Sequence, residues 1–377
     1  MEKSVNKRIM PDVSVIIPTY NVKKYIRECL DSLVNQTWTN FEVICVDDGS
    51  DDGTCDIIRE YTKKDSRINL VEMDHCGFAG VMRNEGLHRA RGEYCLFLDS
   101  DDFFEPYMLE HSLKKIREDN ADICMFDARM YYQMTGKTGV NRVVLKKEYL
   151  PETIPFEGKS FKYIFNISTG CPWVNLIKKK LIDESHIEYM ALSRYNDLYF
   201  INLMLASAKR ITILPEVLVN YRQIPTSLQA NNTKTPWDWY LALKALKSKL
   251  IELGIYKDVE LSFRNDAFGV AIYNLCSLKS ADAFCQVYDR LKNELFKELG
   301  LENFTREECY SYNDKKYAIY EKIQQYTATE YLFYQMKEYE TRTKKAEAEC
   351  AWLYKSKTYK LGNAALWLPK KLKKKRK

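Results

Sequence analysis

Three aspartates lie close together where an apolar segment of the chain ends. The segment "CLFLDSDDFF" (residues 95–104) places four apolar side chains before Asp99, Asp101 and Asp102. Like charges at this spacing repel one another, and packing gives no reason to place them beside a buried strand. Carboxylates two residues apart on a tight turn offer the oxygen ligands that Mg²⁺ or Mn²⁺ prefers. We therefore expect Asp99 and Asp101 to hold such a cation together with a diphosphate; the alternative is a loop stabilised by Asx turns.

Two other apolar segments, each as long as a strand, also end in polar residues. Thr19, Tyr20 and Asn21 follow "VSVIIP", and Asp47 and Asp48 follow "FEVICV". A carboxylate in such a place can accept a hydrogen bond from a ring N–H or a ribose hydroxyl, which makes Asp48 a candidate nucleoside ligand. The alternative is that "DDGSDDGT" caps the next helix. Parallel sheets bind ligands beyond the carboxyl ends of their strands, so the three segment ends are most informative together.

The elements that must position these residues alternate regularly over the first 120 residues. Short apolar runs alternate with segments of about 10–15 residues that have helical spacing. We predict strands in "VSVIIPTY", "FEVICVDDGS", "INLVEM" and "YCLFLDSDD", and helices in "KKYIRECLDSLVNQ", "DIIREYTKK", "FAGVMRNEGLHRA" and "PYMLEHSLKKIRED". This alternation predicts an α/β fold with a mostly parallel sheet and helices on both faces.

The pattern changes after residue 120. Residues 121–228 contain two further strand-like runs, "ADICMFDARMYY" and "ITILPEVLVNYR", and the helical segment "NDLYFINLMLASA". Residues 235–325 are predicted to form amphipathic helices only, and we call this part the helical annex. Residues 330–377 are predicted to form a last helix and a basic tail, and apolar residues over 332–353 have heptad spacing. That spacing predicts a weak homodimer, or a solvated helix that packs on its own chain.

Charge is unevenly distributed along the 377 residues. The net charge is +6, but the last eight residues, "KKLKKKRK", carry seven positive charges, so the rest of the chain is close to neutral. This argues against a nucleic-acid partner. The tail 361–377 also contains Leu361, Leu366, Trp367 and Leu368, a composition that predicts binding to an anionic membrane surface. A disordered, solubilising tail is the alternative.

The cysteines and the apolar segments indicate the compartment. Eleven cysteines are scattered without metal-ligand spacing, and Cys45, Cys95 and Cys124 lie in strand-like runs, where we interpret them as small core residues. This pattern is typical of a reducing, cytosolic environment. The apolar segment near the N-terminus is short and contains Pro18, and no apolar run reaches about 18 residues. We therefore expect neither a signal peptide nor a membrane-spanning helix.

Four segments, taken in order, resemble those of one enzyme family. They are "VSVIIPTYN", "VDDGSDDGT", "MRNEGLHRARGEYCLFLDSDD" and, later, "ND" before a helix. They resemble the family 2 glycosyltransferases of the GT-A fold, closely over residues 12–110 and more loosely to residue 228. The resemblance implies a Rossmann-like GT-A catalytic domain over 1–228, with a nucleotide-sugar-binding half (12–120) and an acceptor-side half (121–228). It also implies inverting transfer of a sugar from a nucleotide diphosphate, usually UDP-linked, with Mn²⁺ or Mg²⁺ bound.

The resemblance assigns roles to residues of the first half by their position. Asp48 would recognise the base, Tyr20 would pack near it, and Asp101 would be the direct metal ligand, with Asp99 near both the ribose and the metal. The implied donor-binding residues are Thr19, Tyr20, Asp47, Asp48, Arg83, Asn84, Asp99 and Ser100. For Arg83 the alternative is an arginine on a helix surface.

On the acceptor side, the family places a general base in a Glu-Asp pair before a helix. This chain has Asn196 and Asp197 there, so the Glu is replaced and Asp197 is the expected base. Glu184 and Glu188 are the fallback candidates. A charge favoured by the helix dipole is the alternative for Asp197.

Two further residues match the family less closely. Trp173, in "CPWVNLIKKKLI", would form a wall on which a sugar stacks, or it is a buried core residue. Arg222, in "YRQIPTSLQ", would contact the diphosphate. His75 and His88 are isolated in the sequence, and we interpret both as structural.

These observations favour a glycosyltransferase that acts on a glycan or lipid-linked acceptor at the cytoplasmic face of a membrane, in cell-surface polysaccharide synthesis. A nucleotidyltransferase shares the sheet and the carboxylates, but "PTYNVKKY" contains no glycine for a loop that holds a triphosphate. A non-catalytic sugar-nucleotide-binding or scaffold protein is favoured by Asn196 and by the helical annex. A dinucleotide oxidoreductase is disfavoured because no G-x-G-x-x-G follows the first strand.

Overall fold

One sheet organises the chain, and the structure, a computed structural model, describes residues 10–139, 144–224, 235–309 and 314–355. The strands are β1 (Val13–Thr19), β2 (Phe41–Asp47), β3 (Ile68–Glu72), β4 (Tyr94–Phe97), β5 (Phe103–Phe104), β6 (Ile123–Tyr132), β7 (Lys137–Thr138), β8 (Asn175–Lys178) and β9 (Ile211–Gln223). Their order in the sheet is β3-β2-β1-β4-β8-β6-β9-β5, with β7 paired to β6.

The first four strands are parallel, because a helix after each of β1, β2 and β3 returns the chain to the same end of the sheet. β1, β2 and β4 are buried on both faces, as their continuous apolar sequences predict. The helices that cover this half are α1 (Ile26–Val34), α2 (Thr54–Lys64) and α3 (Ala79–Arg89), whereas α4 (Met108–Glu118) packs on β6, β8 and β9. The carboxyl ends of β1, β2 and β4 therefore meet at one edge of the sheet.

Beyond β4 the sheet becomes mixed. β8 lies between β4 and β6 and runs antiparallel to both, whereas β6 and β9 form a long parallel ladder. The antiparallel pairings are short, so the sheet is mostly parallel, as predicted. The sequence analysis did not identify β8, because a strand of four residues carries too little pattern. Helices α5 (Lys179–Ser185) and α6 (Asn196–Ser207) complete this half.

Within the described ranges, only helices follow β9. They are α7 (Asp238–Glu252), α8 (Tyr256–Ser277), α9 (Ala281–Arg290), α10 (Phe296–Glu298), α11 (Asp314–Gln325) and α12 (Ala328–Lys355), with a π-helical turn (Leu291–Leu295) between α9 and α10. The predicted α/β fold with a C-terminal helical region is therefore confirmed.

Two hydrophobic cores lie on the two faces of the sheet. Side chains alternate along β1, so Ile16 belongs to one core and Val15 to the other. The core that contains Ile16 also contains Phe200 of α6 and Leu243 of α7. The helical annex therefore shares its core with α6 and with one face of the sheet, and α7 packs directly against α6.

Burial confirms the interpretation of the strand cysteines, since Cys45, Cys95 and Cys124 are all buried. The predicted heptad seam lies on α12, whose side chains are exposed over residues 341–352. Among the helices that the structure describes, none combines the length and the apolar character that crossing a bilayer requires.

We expect Leu243→Ala to lower the free energy of unfolding by about 2–5 kcal/mol, because it opens a cavity in the core that α7 shares with α6. Leu241→Ala on the same helix is the control, since Leu241 is 44% exposed and its truncation should cost no more than about 0.5 kcal/mol. Urea unfolding followed by tryptophan fluorescence and circular dichroism measures both effects. Two separate transitions, only one of them sensitive to Leu243→Ala, would contradict a shared core.

Candidate active site

A cluster of hydrogen bonds around Asp47 joins the ends of β1 and β2. Its Oδ1 accepts from the hydroxyls of Thr19 (2.9 Å) and Ser50 (2.7 Å), and its Oδ2 accepts from the Ser50 N–H (2.7 Å). Thr19 and Asp47 are both buried. These bonds determine the shape of the turn after β2, which favours a positioning role for both residues over the direct donor contact that the sequence predicts.

Asp48 faces the loop that follows β3. Its Oδ1 accepts from the Cys76 N–H (2.7 Å) and its Oδ2 accepts from the Gly77 N–H (2.9 Å). The Nδ1 of His75 lies 3.0 Å from the same Oδ2, and the His75 ring stacks on the exposed Tyr20 ring at a centroid distance of 4.4 Å. His75 therefore contacts both predicted base-binding residues, which the sequence does not reveal because an isolated histidine belongs to no motif.

Arg83 connects the turn after β4 to the start of α6. Its Nη2 donates to Asp99 Oδ1 and its Nη1 donates to Asn196 Oδ1, each over 2.8 Å. The guanidinium also lies over the Tyr189 ring, 5.4 Å from the ring centroid. Because Arg83 is buried, the alternative of a surface arginine is wrong.

Two residues of α3 bring this helix against the segment that leads to α6. A Cβ at Gly80 would lie 2.4 Å from the Met190 carbonyl oxygen, so only glycine allows this close approach. Asn84 exchanges two hydrogen bonds with the backbone of Tyr189, donating from Nδ2 (2.9 Å) and accepting at Oδ1 (2.8 Å). Asn84 therefore positions the segment before α6, which is a different role from the donor contact that the resemblance implies.

Negative charge is concentrated in the turn after β4. Burial and the charge of Asp99 raise the pKa of Asp101 to about 6. Burial, followed by the charges of Asp101 and Asp99, raises the pKa of Asp102 well above its ordinary value. Asp102 Oδ2 is buried without a hydrogen-bond partner in the described chain, and Ser100 beside it is buried as well. Excess negative charge of this kind is stabilised by a bound cation.

The residues of this turn fit a divalent cation that is bound together with a substrate. Asp99 and Asp101 supply carboxylate oxygens, which are the ligands that Mg²⁺ and Mn²⁺ prefer. Within the ranges that the structure covers, no three His, Cys, Asp or Glu side chains converge as a ligand set. Phosphate oxygens and water would have to complete the coordination, so occupancy by the cation would depend on a diphosphate.

Arg222 of β9 supports the turn that contains Asp101 and Asp102. Its backbone N–H donates to Asp102 Oδ1 (2.7 Å), and its Nε donates to the Asp101 carbonyl oxygen (2.5 Å). Nη2 donates to Glu28 (2.6 Å) and Nη1 donates to Gln133.

The guanidinium of Arg222 is also surrounded by aromatic rings, which are those of Tyr25, Phe103 and Tyr131. Each guanidinium nitrogen is engaged, which favours a positioning role over the diphosphate contact that the sequence predicts.

Asp197, the predicted base, lies in the first turn of α6. Burial raises its pKa, although the nearby positive charge of Arg83 opposes the shift. Its Oδ1 accepts a hydrogen bond from the Leu198 N–H (2.9 Å). A carboxylate with a raised pKa is suited to accept a proton near neutral pH, as general-base catalysis requires.

The other acceptor-side candidates lie outside the Arg83 network. Glu184 is exposed, and Glu188 is exposed and paired with His88 (2.9 Å). Trp173 is only 3% exposed and stacks on Tyr221, with ring centroids 5.1 Å apart. Trp173 is therefore a buried core residue, which was the alternative to the predicted wall for sugar stacking. It presents no face to a sugar in this structure.

Two residues of the helical annex contact the segment before Asp197. Tyr195 has a φ of 63°, a left-handed conformation that is strained for a large side chain. The Tyr195 hydroxyl accepts a hydrogen bond from Asn274 Nδ2 of α8 (2.7 Å), and the Arg194 N–H donates to Asp238 Oδ2 of α7 (3.1 Å). The sequence analysis missed these contacts, because the paired residues are distant in the chain and belong to no motif.

Comparison with known proteins identifies the family. The model for Glycosyl transferase family 2 matches residues 14–185. TuaG of Bacillus subtilis, a glycosyltransferase whose name places it in teichuronic acid biosynthesis, is 30% identical over 240 residues, which are 63% of this chain and 90% of TuaG. The glycosyltransferase EpsJ of the same species is 31% identical over 241 residues, 62% of this chain and 67% of EpsJ. The crystal structure of S. aureus TarS 1–349 in complex with UDP-GlcNAc has a TM-score of 0.62 at 22% identity, covering 77% of this chain and 83% of that chain.

The fold is that of a GT-A enzyme, and the chain belongs to glycosyl transferase family 2. It is therefore a glycosyltransferase. The site residues from Thr19 to Asp101 fall within the range that the family model matches, whereas Asp197 lies beyond it.

We expect Asn274→Ala to lower kcat about tenfold with little change in the KM for the donor, because small shifts of a catalytic group cost rate more than binding. Tyr195→Phe removes the same hydrogen bond from its other partner, so the double variant should be no slower than the slower single variant. The measurement is the rate at which nucleoside diphosphate is released from the donor in the presence of acceptor.

Asn265→Ala is the control for Asn274→Ala. Asn265 lies on the same helix, but its amide donates to the Glu308 carbonyl oxygen (2.8 Å) inside the helical annex. An equal loss of kcat in both variants would indicate that the annex contributes stability alone, and would contradict a specific role for the contact with Tyr195.

Proposed function

We propose that this glycosyltransferase transfers a sugar from a UDP-sugar to a hydroxyl of a glycan or a lipid-linked acceptor, with inversion at the anomeric carbon and with Mn²⁺ or Mg²⁺ bound. The reaction belongs to cell-surface polysaccharide synthesis. The observation that carries the proposal is the Arg83 bridge, which joins Asp99 on the donor side to Asn196, the neighbour of the candidate base Asp197.

The nature of the donor is supported by the chemistry of the first two strand ends. Tyr20 offers an exposed ring, and Asp48 offers a carboxylate that can accept the ring N–H of a base. Among the relatives, TarS binds UDP-GlcNAc and the name of TuaG refers to teichuronic acid. The first supports a nucleotide-sugar donor, and the second supports a role in the synthesis of a surface polysaccharide.

In the proposed mechanism, Asp197 accepts the proton of the acceptor hydroxyl while that oxygen attacks the anomeric carbon from the side opposite the diphosphate. The bond between the anomeric carbon and the diphosphate oxygen breaks, and its electron pair leaves with the diphosphate. The raised pKa of Asp197, caused by burial, suits this proton transfer. Arg83 keeps the start of α6 at a constant distance from Asp99. When bound by Asp99 and Asp101, the divalent cation supplies positive charge that stabilises the leaving diphosphate.

We expect Asp101→Asn to reduce the divalent-dependent release of UDP from the donor by at least about a hundredfold, because it removes a charged ligand of the cation. Asp56→Asn is the control, since Asp56 is 79% exposed on α2, and this variant should retain activity. Chromatography of the nucleotide products with Mn²⁺ or with EDTA measures the effect, and circular dichroism checks folding.

Other outcomes of the same assay distinguish this proposal from the alternative functions. Full activity in EDTA would contradict the metal dependence. Release of pyrophosphate in place of a nucleoside diphosphate would favour a nucleotidyltransferase. Nucleotide binding without turnover over a panel of donors and acceptors would favour a non-catalytic binding protein.

The proposal includes a location at the cytoplasmic face of the membrane, as a peripheral protein. The segment on which it rests, 361–377, lies outside the described residues, and its support is the sequence: each basic residue near an anionic surface contributes about 1 kcal/mol. The exposed seam on α12 supports a weak homodimer through 332–353, in which a second copy would cover Met336 and Tyr339.

We expect deletion of 361–377 to reduce sedimentation with vesicles that contain anionic lipid, and to leave activity on a water-soluble acceptor unchanged. Vesicles of neutral lipid are the control, since they should bind neither protein. Equal binding of the full-length and truncated proteins to anionic vesicles would rule out this membrane contact.

A further inference from the structure

The two groups proposed to bind the donor base already have an aromatic partner within the chain. The His75 ring stacks on the Tyr20 ring with a centroid distance of 4.4 Å and an interplanar angle of 19°. Its Nδ1 lies 3.0 Å from Asp48 Oδ2 and 2.9 Å from the Asp48 carbonyl oxygen. A planar ring that stacks on Tyr20 and directs an N–H at Asp48 has the two features that a bound base would have here.

We propose, as an extension of the proposed function, that His75 occupies the place of the donor base and that the nucleotide must displace its ring in order to bind. One imidazole contacts both Tyr20 and Asp48, so it fills the space in which a base could contact both. His75 is thereby a residue of the donor site that determines how tightly every nucleotide binds.

The ring can leave this place without any movement of the main chain. The Asp48 carboxylate is also bonded to the N–H groups of Cys76 (2.7 Å) and Gly77 (2.9 Å), and these bonds do not involve the imidazole. A carboxylate oxygen accepts two hydrogen bonds, so departure of the ring frees one acceptor position on Oδ2 for the base. The His75 side chain is 51% exposed, and rotation about its side-chain bonds moves the ring into solvent.

Competition between the His75 ring and the base affects the apparent dissociation constant in a way that an ordinary binding contact does not. If the stacked conformer holds about nine-tenths of the free protein, the apparent dissociation constant of a nucleotide is raised about tenfold. This factor depends on the free protein alone, so it is the same for all nucleotides whose base uses the place. A ligand without a base, such as pyrophosphate, is unaffected.

The first test compares wild type and His75→Ala by isothermal titration calorimetry in Mg²⁺. We expect His75→Ala to bind UDP up to about tenfold more tightly and to bind pyrophosphate as wild type does. His88→Ala is the matched control, because His88 lies on the exposed end of α3, paired with Glu188, and its loss should leave both affinities unchanged.

The second test observes the ring directly by NMR. The chain contains four histidines, so their ring signals can be resolved, and His75→Ala identifies the signal of His75. We expect UDP with Mg²⁺ to shift this signal, because the ring leaves the face of Tyr20. Pyrophosphate with Mg²⁺ should leave the signal in place.

Two results would overturn the inference while leaving the proposed function intact. Weaker UDP binding by His75→Ala would show that the imidazole is a partner of the bound base. Equal binding of UDP by both proteins, with an unmoved His75 signal, would show that the ring lies outside the base's place. If neither protein binds UDP at all, the proposed function fails, and this inference fails with it.

Discussion

A buried guanidinium joins the turn after β4 to the start of α6 in this enzyme. Arg83 donates from one nitrogen to Asp99 and from another to Asn196, while its Nε has no partner in the described chain. Burying a charge costs several kcal/mol unless opposite charge and hydrogen bonds offset it. The turn after β4 and the start of α6 therefore both stabilise Arg83. If either moved away, the guanidinium would lose a hydrogen-bond partner while it stayed buried.

The same bridge gives a physical reason for Asn196. A Glu at this position, which the resemblance implies, would place a further carboxylate beside Asp99 and Asp197 around one guanidinium. Asn196 keeps an acceptor oxygen for Arg83 without the charge, and its Nδ2 donates to the Leu192 carbonyl oxygen (3.2 Å). Burial is the largest cause of the raised pKa of Asp197, so a neighbouring Glu is not needed to raise it. The replacement is therefore compatible with a base at Asp197.

Features that depend on local pattern could be predicted from the sequence, and features that depend on distant contacts could not. β1, β2 and β4 are continuous apolar runs, and a parallel sheet places their polar ends at one edge, so Tyr20, Asp48 and Asp101 were identified correctly as lying there. β8 is too short to show a pattern. The contact between Asn274 and Tyr195 joins residues 79 positions apart, and no local pattern encodes such a pair.

The polar residues at the strand ends fall into two groups. Some have their hydrogen bonds satisfied within the chain, and others do not. Buried polar groups must be paired, and the polar atoms of Asp47, Asn84 and Arg222 are paired within the chain, which favours a role in shaping the site. A polar atom that the chain leaves unpaired is available to a ligand, and Asp102 Oδ2, buried without a partner in the described chain beside the crowded carboxylate of Asp101, is such an atom.

Asp48 is intermediate between the paired and the unpaired residues. Its carboxylate accepts from two backbone N–H groups, and its remaining partner is the imidazole of His75, which we propose is displaced by the base. The two ends of the donor site therefore differ in their free state. Like charges crowd the turn that contains Asp101, and Asp102 Oδ2 has no partner in the described chain, whereas His75 pairs with Asp48. Binding of a cation and a diphosphate at this turn would gain favourable contacts outright, whereas a base at Asp48 would only exchange one ring for another. In the proposed function, the cation and the diphosphate would therefore supply most of the affinity, and the base, which must match the stack and the N–H of His75, would contribute mainly to selectivity.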